Sequence, residues 1–205
     1  MISEKMYELG SRRSSIRELF EYGKEAAKRV GAENVYDFRL GNPSTPPPPP
    51  PAEMTEAAIH ILANEEPCAV HGYTSAQGAP ETRRAISESM KKRFGAEINA
   101  DRIYMTCGAA ASLCIAFRAI VSSPKDEILA IAPFFPEYKI FAEGAGASFR
   151  AVPPDTESFG INFDALEPMI TPDTCILIIN SPNNPSGAVL SRETLSRLSV
   201  LLRAK

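Results

Sequence analysis

Residues 126–153 read DEILAIAPFFPEYKIFAEGAGASFRAVP, and this segment decides the fold class. The apolar run DEILAIA comes first, the helical PEYKIFAEGAG follows, and SFRAVP ends the segment. Short apolar runs bounded by proline or glycine are typical of buried strands. A strand, a helix and a second strand in this order predict two parallel strands joined by a crossover helix.

The same alternation extends in both directions from this segment. A strand RIYMT and a helix AAASLCIAFRAIV precede it, and a helix FDALEPMI, a strand CILIIN and a helix SRETLSRLSVLL follow it. We therefore predict an α/β fold, with three α-β-α layers around a mostly parallel sheet. Ligands of such sheets bind at the carboxyl ends of the strands, so the strand-to-helix corners are the candidate site.

The first part of the chain differs from this pattern. Apolar residues at three- and four-residue steps predict helices over residues 12–31, 52–64 and 79–94. An unbroken run of prolines at residues 46–51 predicts an extended polyproline connector, with a ligand for a proline-reading domain as the alternative. We place a boundary after this run, with an N-terminal helical arm and connector in residues 1–51 and the main domain in residues 52–205.

The corner MTCGAAASL has the composition of an anion-binding turn. Gly108 lets the backbone turn, and small side chains leave the helix amino end near Ala109 open. Unpaired amides and the helix dipole at such an end favour phosphate, and the Ser112 hydroxyl can add a further donor. Close packing of a helix on a sheet also favours glycine and alanine, and it is the alternative.

The corner APFFPEY places aromatic rings between two prolines. We assign Phe134 to the core, whereas Phe135 is a candidate for stacking on a flat heteroaromatic ligand. In the third corner, SPNNPSG, Asn183 and Asn184 stand between prolines and offer neutral donors and acceptors. An ordinary asparagine–proline turn is the alternative. A phosphate, a flat ring and a polar ring substituent together describe pyridoxal phosphate, with a nucleotide as the second candidate.

Five motifs resemble those of class I/II aminotransferases, the pyridoxal-phosphate enzymes of fold type I. NSPNNPSG resembles the family's NPNNPTG, MTCGAAASL its phosphate-binding turn, and PFFPEY its PxYPxY segment. FRLGNPS resembles its LGxPD strip, and HGYTSAQGAPETRRAI its YTxxxGxxxLR segment. The motifs occur in family order over residues 38–187, and their wording is most similar to bacterial aspartate-aminotransferase-like members.

The resemblance implies roles for the corner residues. The backbone amides of Ala109 and Ala110, next to Gly108, would hold the phosphate of pyridoxal 5′-phosphate. Phe135 would stack on its pyridine ring, and Asn184 would donate a hydrogen bond to the ring's 3-hydroxyl oxygen.

Two further residues enter through the resemblance alone. Tyr73 would reach the phosphate of the cofactor in a partner subunit, which implies a homodimer, although a packed surface ring is the alternative. Gly41 would lie beside the substrate carboxylate. The implied substrates are an amino acid and a 2-oxo acid.

The resemblance also implies residues that this sequence does not contain. In the family, a DExY aspartate, an SxSK lysine that forms the Schiff base and a C-terminal arginine all follow the NPNNPTG corner. This chain ends at Lys205, one helix after that corner, and Lys125 and Lys139 are expected on solvated faces. We therefore expect the N-terminal portion of such an enzyme, comprising part of its large domain. It would hold no catalytic residue and would be inactive alone.

Other functions remain open at this point. The chain can be a non-catalytic half-domain that binds a phosphorylated ligand, or a fragment of a pyridoxal-phosphate-dependent carbon–sulfur lyase with the same corners. Half of a sheet leaves an unpaired edge and exposed apolar faces, so the chain is expected to be marginally stable or aggregation-prone alone.

Composition limits the remaining classes. The 205 residues carry a net charge of −3 and are 44% hydrophobic, which is typical of a globular protein and indicates no nucleic-acid partner. No stretch approaches the roughly 20 apolar residues of a membrane span, and the charged amino terminus does not resemble a signal peptide. The 4 cysteines show no spacing suited to a metal, so we expect reduced thiols and a cytoplasmic protein.

Overall fold

The computed structural model describes residues 2–11, 15–36 and 51–205, and the chain divides into two compact units between Thr74 and Ser75. In the described residues of the first unit there are four helices: α1 Glu4–Ser11, α2 Ser15–Val30, α3 Ala52–Asn64 and α4 Pro67–His71. The second contains five: α5 Pro80–Phe94, α6 Ala109–Ile120, α7 Glu137–Ala145, α8 Phe163–Met169 and α9 Arg192–Ala204. Short 3₁₀ turns occur at Ala32–Asn34 and Ala100–Arg102. The boundary proposed after residue 51 stays a prediction.

Three parallel strands form the centre of the second unit. They are β1 Glu127–Ile131, β2 Ser148–Val152 and β3 Thr174–Ile178, and β1 lies between the other two. The pairing of β1 with β2 is regular, whereas the pairing of β1 with β3 shifts register between Glu127 and Ile128. The predicted parallel strands around a crossover helix are confirmed, because α7 connects β1 to β2.

Both faces of the sheet are covered by helices. Consecutive residues of a strand point to opposite faces, and both Ile128 and Leu129 of β1 are fully buried. Ile128 packs in a cluster with Phe117 of α6 and Ala142 of α7. Leu129 packs in a second cluster that includes Leu166 of α8 and Leu198 of α9. The α-β-α arrangement predicted from the sequence is therefore confirmed.

A polar contact joins the three strands near their amino ends. Glu127 of β1 is buried, and its carboxylate lies 2.7 Å from Nε of Arg150 on β2. The Thr174 hydroxyl of β3 donates to the same carboxylate at 3.3 Å. Because a buried charge is costly unless it is paired, this contact supports the alignment of the strands at the end opposite the candidate site.

The predicted strand RIYMT is wrong. Residues 103–106 are not part of a sheet, and Tyr104 and Met105 expose 54% and 38% of their surface. The Met105 amide donates to the Gln77 carbonyl at 2.9 Å, which is a contact with a turn. A strand requires the ladder of a neighbouring strand, and within residues 51–205 no strand lies beside this segment. The apolar composition of residues 102–106 therefore predicted a strand, but the described structure has no neighbouring strand to pair with it.

Other expectations fall partly or wholly outside the described residues. Gly41 and residues 46–50 of the proline run lie outside them, and so does the rest of the FRLGNPS motif. In the first unit, the short helix α4 precedes Tyr73, and its amino end is capped by Glu66. Among the helices described, none is long and apolar enough to cross a membrane.

Candidate functional site

The amino end of α6 has no side-chain cap. Gly108 occupies the cap position with φ 99° and ψ 168°, and the first turn carries alanines without an acidic residue. Within the described part of the chain, the amides of Ala109 and Ala110 donate to no acceptor. Unpaired amides at a helix amino end form an electropositive site, which suits the phosphate predicted there from the sequence.

Two hydroxyls support the backbone of this turn. The hydroxyls of Thr106 and Ser112 lie 2.5 Å apart, and each is also within hydrogen-bond distance of the Gly108 carbonyl. Ser112 therefore contributes to the shape of the turn through the residue that precedes α6. Its proposed contact with a phosphate stays a prediction.

The aromatic corner lies after the carboxyl end of β1. Phe134 packs edge-on against Phe149 of β2, with ring centroids 5.0 Å apart. Phe135 is half-buried and makes an edge-on contact with Tyr138 of α7 at 5.6 Å. The Tyr138 amide also donates to the Phe135 carbonyl at 3.0 Å. Phe134 thus packs the corner against β2, and Phe135 is held by Tyr138 of α7, the helix that follows it.

The asparagine corner lies after the carboxyl end of β3, next to β1 in the sheet. The side-chain nitrogen of Asn183 donates to the Pro133 carbonyl at 2.9 Å and to the Ser186 hydroxyl at 2.8 Å. Asn184 is exposed, and its amide contacts no hydrogen-bonding group within residues 51–205. The peptide bonds before Pro133 and Pro185 are cis. Of the two asparagines, only Asn184 has donors and an acceptor available for a ligand.

A narrow cleft opens beside these two corners. Its walls include Ile131 at the end of β1, Ile178 at the end of β3, and Phe134, Tyr138 and Asn183. Partial burial raises the pKa of the Tyr138 hydroxyl above its ordinary value. The cleft is mainly apolar and lies at the carboxyl ends of adjacent parallel strands, where ligands of this fold class bind.

The structure joins some of the predicted residues and leaves others apart. The corners of Phe135 and Asn184 are connected through Asn183, and the turn at Gly108 belongs to the same unit. Tyr73 lies in the first unit and is fully exposed, while Gly41 is outside the described residues. The roles of all these residues stay predictions.

Three lysines of the second unit lie at its surface, and two of them pair with acidic side chains. Lys125 and Lys139 are exposed, as predicted from the sequence. Lys139 pairs with Glu143 at 3.9 Å on the surface of α7, and Lys205 pairs with Glu167 at 3.6 Å. None of these three lysines lines the cleft described above.

Sequence reasoning missed the structural role of Asn183. The prolines around the two asparagines drew attention to the turn, but the resemblance assigned a role only to Asn184. Asn183 has this role because the turn after β3 lies next to the corner after β1 in the sheet. That spatial order is not visible in the sequence.

Comparisons with known proteins agree with this geometry. The model of the family Aminotransferase class I and II matches residues 33–205. A protein described as a probable N-succinyldiaminopimelate aminotransferase from Mycobacterium tuberculosis is 35% identical over 176 residues, covering 84% of this chain and 42% of that protein. An aspartate aminotransferase from Streptomyces avermitilis is 30% identical and is covered over 41% of its length, against 85% of this chain.

A solved structure gives the same result. The crystal structure of an aminotransferase from Eubacterium rectale has a TM-score of 0.92 and 55% sequence identity, covering all of this chain and 50% of that one. The chain thus spans less than half the length of the two curated relatives and half of this structure. From the matched residues, the ordered motifs and the parallel fold, we conclude that the chain belongs to the class I and II aminotransferase family.

Proposed function

We propose that the chain is the N-terminal part of an enzyme that uses pyridoxal 5′-phosphate to move an amino group between an amino acid and a 2-oxo acid. Amino-group transfer is the activity named for its relatives, and the corners of this chain supply a binding site of matching chemistry. The observation that carries the proposal is the uncapped amino end of α6, whose amides are unpaired among the described residues.

The residues present fit the chemical groups of this cofactor. A phosphate needs several N–H donors without a competing carboxylate, which the first turn of α6 provides. A ring hydroxyl oxygen needs a neutral donor, and the Asn184 amide has no other partner in the described part of the chain. A flat ring needs an aromatic neighbour, and Phe135 is half-buried in the corner to which the Asn183 side chain is bonded.

The chain's own residues would bind and orient the cofactor, which supplies an electron-withdrawing ring when bound. The amides of Ala109 and Ala110 would fix its phosphate, Phe135 would lie against its ring, and Asn184 would donate to the 3-oxygen. Tyr73 would reach the phosphate bound in a partner subunit of a homodimer, and Gly41 would lie beside the substrate carboxylate. We also propose a cytoplasmic location, which the small number of cysteines, 4 in 205 residues, supports.

We further propose that this chain alone is inactive, because none of its lysines stands in an SxSK context like that of the family's Schiff-base lysine. Catalysis of this kind requires a lysine that bonds covalently to the cofactor. The alternative function is that of a non-catalytic domain that binds a phosphorylated ligand, and it predicts the same phosphate-binding residues. The two functions would differ in whether a longer protein containing this chain supplies the Schiff-base lysine.

One experiment tests binding and covalency together. The 205-residue chain is titrated with pyridoxal 5′-phosphate or with pyridoxal, treated with borohydride, and mapped by peptide mass spectrometry. We expect saturable binding that requires the phosphate, and only scattered labelling of exposed lysines. Absence of phosphate-dependent binding would contradict the proposed site. Complete labelling of one lysine would contradict the proposed inactivity but would leave the site supported.

A further inference from the structure

One side chain joins the two corners that flank the candidate ring site. The Pro133 carbonyl can only accept a hydrogen bond, so the Asn183 atom facing it at 2.9 Å is the amide nitrogen. The second hydrogen of that nitrogen is directed to the Ser186 hydroxyl at 2.8 Å. Both donors of the Asn183 amide are therefore used inside the fold, and neither is available to a ligand.

The backbone of Asn183 also closes the turn that follows it. Its amide donates to the Ala188 carbonyl at 2.8 Å, and its carbonyl accepts from the Gly187 amide at 2.7 Å. The Ser186 hydroxyl in turn accepts from the Ala188 amide at 3.2 Å. These bonds make residues 183–188 a closed turn with Asn184 near its tip.

The connection between this turn and the neighbouring corner depends on one contact. Within the described residues, the bond from Asn183 to Pro133 is the only hydrogen bond between residues 181–190 and residues 132–138. Pro133 lies two residues before Phe135, and Asn183 lies directly before Asn184. The bond therefore sets the position of the exposed Asn184 amide relative to the Phe135 ring.

We propose that Asn183 is a positioning residue for ring recognition, which holds the Asn184 amide and the Phe135 ring at a fixed spacing. This inference rests on the proposed function, because it assigns Asn183 a part in the same site. Asn183 does not contact the ring; it acts through Asn184. A flat ring with a polar edge substituent must stack on Phe135 and accept an in-plane hydrogen bond from Asn184 at the same time. If the turn at residues 183–188 moves, the hydrogen bond from Asn184 is weakened.

The chain offers a matched control for a purely stabilising role. Asn162 is also an asparagine after a loop, and its side-chain oxygen accepts from the Ala165 amide at 3.0 Å to cap α8. Its replacement by alanine should destabilise the second unit without changing the asparagine corner. An effect seen in Asn183→Asp but absent from Asn162→Ala is therefore not a result of lower stability alone.

The test combines three variants with a ligand that needs no lysine. Asn183→Asp keeps the shape of the side chain but places a carboxylate oxygen against the Pro133 carbonyl, and Asn183→Ala removes the contact without adding charge. The probe is pyridoxine 5′-phosphate, and the readouts are its dissociation constant and the pH at which its bound 3-hydroxyl ionises, followed by absorbance. Amide hydrogen exchange at Gly187 and Ala188 is measured without ligand.

We expect both Asn183 variants to bind the probe about tenfold more weakly, which corresponds to about 1.4 kcal/mol and to the loss of one hydrogen bond. The ionisation of the bound 3-hydroxyl should shift as it does in Asn184→Ala, and Asn162→Ala should leave it unchanged. Because Asn183 acts through Asn184, the double variant Asn183→Ala/Asn184→Ala should bind no more weakly than Asn184→Ala.

The outcomes separate this inference from the proposed function. Unchanged affinity and ionisation in both Asn183 variants, or additive losses in the double variant, would overturn the positioning role. If the unmodified chain does not bind the probe, the proposed function is wrong, and hydrogen exchange decides the structural claim. Faster exchange at Gly187 and Ala188 in the Asn183 variants alone would then show that the Asn183 side chain holds the turn at residues 183–188. Unchanged exchange would refute this structural role.

Discussion

The amino ends of α6 and α9 belong to the same unit but are completed in different ways. At α9 the Ser191 hydroxyl accepts from the Thr194 amide at 3.0 Å, so the helix is capped by its own side chain. At α6 the cap position is Gly108, and no side chain of the described residues accepts from the first turn. The α9 end is satisfied within the chain, whereas the α6 end retains its capacity to bind an anion.

This difference supports the proposal that the α9 end is structural and that the α6 end binds a ligand. A side-chain cap contributes about 1 kcal/mol to stability, so its omission at α6 carries a cost that a ligand can offset. Among the helices described, α6 alone has neither a side-chain cap nor an acidic residue in its first turn. We propose that a bound anion completes the first turn of α6.

The largest effect is expected from an acidic residue at the open end. Ala109→Asp would place a carboxylate beside the unpaired amides, where it caps the helix and repels a phosphate. We expect affinity for pyridoxine 5′-phosphate to fall about a hundredfold, or about 2.7 kcal/mol, by isothermal titration calorimetry. The matched control Ala116→Asp lies on an exposed part of the same helix and should bind normally. Equal affinities in Ala109→Asp and the control would contradict the α6 site.

A smaller effect is expected from the glycine at this end. Gly108 has a backbone conformation that only glycine adopts readily, with φ 99° and ψ 168°. An added Cβ would meet no atom within 4 Å, so the penalty of Gly108→Ala comes from the backbone alone. We expect a loss of about 1–3 kcal/mol in the free energy of unfolding by urea denaturation. A neutral result would show that the turn relaxes and that its open form is not fixed by Gly108.

The capped helix end should respond in stability but not in binding. Ser191→Ala removes the acceptor for the Thr194 amide and should lower the free energy of unfolding by about 1 kcal/mol. Pyridoxine 5′-phosphate should bind this variant as it binds the unmodified chain, measured by the same titration. Weakened binding would mean that α9 contributes to the site, which would contradict the distinction between the capped α9 end and the open α6 end.

The smallest effect is expected at Asp126, whose carboxylate accepts hydrogen bonds from backbone amides, as a bound phosphate would at α6. Asp126 accepts from the Ser122 amide at 2.7 Å and from the Ser123 amide at 3.0 Å, and these bonds lower the pKa of its carboxyl group. Because the folded-state pKa is depressed, its stabilisation is present above the unfolded-state pKa and is lost as pH falls through the folded-state pKa.

The variant Asp126→Asn isolates this contribution. We expect a slightly lower free energy of unfolding than the unmodified chain at pH 7, with the difference disappearing as the solution is acidified below the folded-state pKa. Urea denaturation at a series of pH values measures the difference. A difference that grows on acidification would contradict the assigned hydrogen bonds.

The central part of the fold could be predicted from sequence because its information is local. The run in β1, the crossover helix and the glycine that ends α7 stand next to one another in the chain. Gly146, with φ 96°, ends α7 in the left-handed conformation that glycine adopts without strain. The failed strand at residues 103–106 shows the limit, because pairing depends on a neighbour that can be distant in sequence.

The candidate site was predictable to the level of corners but not of individual side chains. Asn183 and Asn184 are identical neighbours, and no local pattern distinguishes the engaged one from the exposed one. Their difference arises because β3 lies beside β1, which brings the Pro133 carbonyl within reach of Asn183. The absence of a cap at α6 was visible in the sequence because Gly108 and the following alanines have no acceptor side chains.

The central claim is that the open end of α6 and the exposed Asn184 amide belong to one ligand site. Nuclear magnetic resonance of the ¹⁵N-labelled chain tests it directly, with pyridoxine 5′-phosphate as the probe and pyridoxine as the control. We predict that the backbone amides of Ala109 and Ala110 and the side-chain amide of Asn184 shift together, with one saturation curve. The Thr194 amide, already bonded to Ser191, should remain unchanged. Shifts at Ala109 and Ala110 without any at Asn184, or equal shifts with pyridoxine, would contradict the claim.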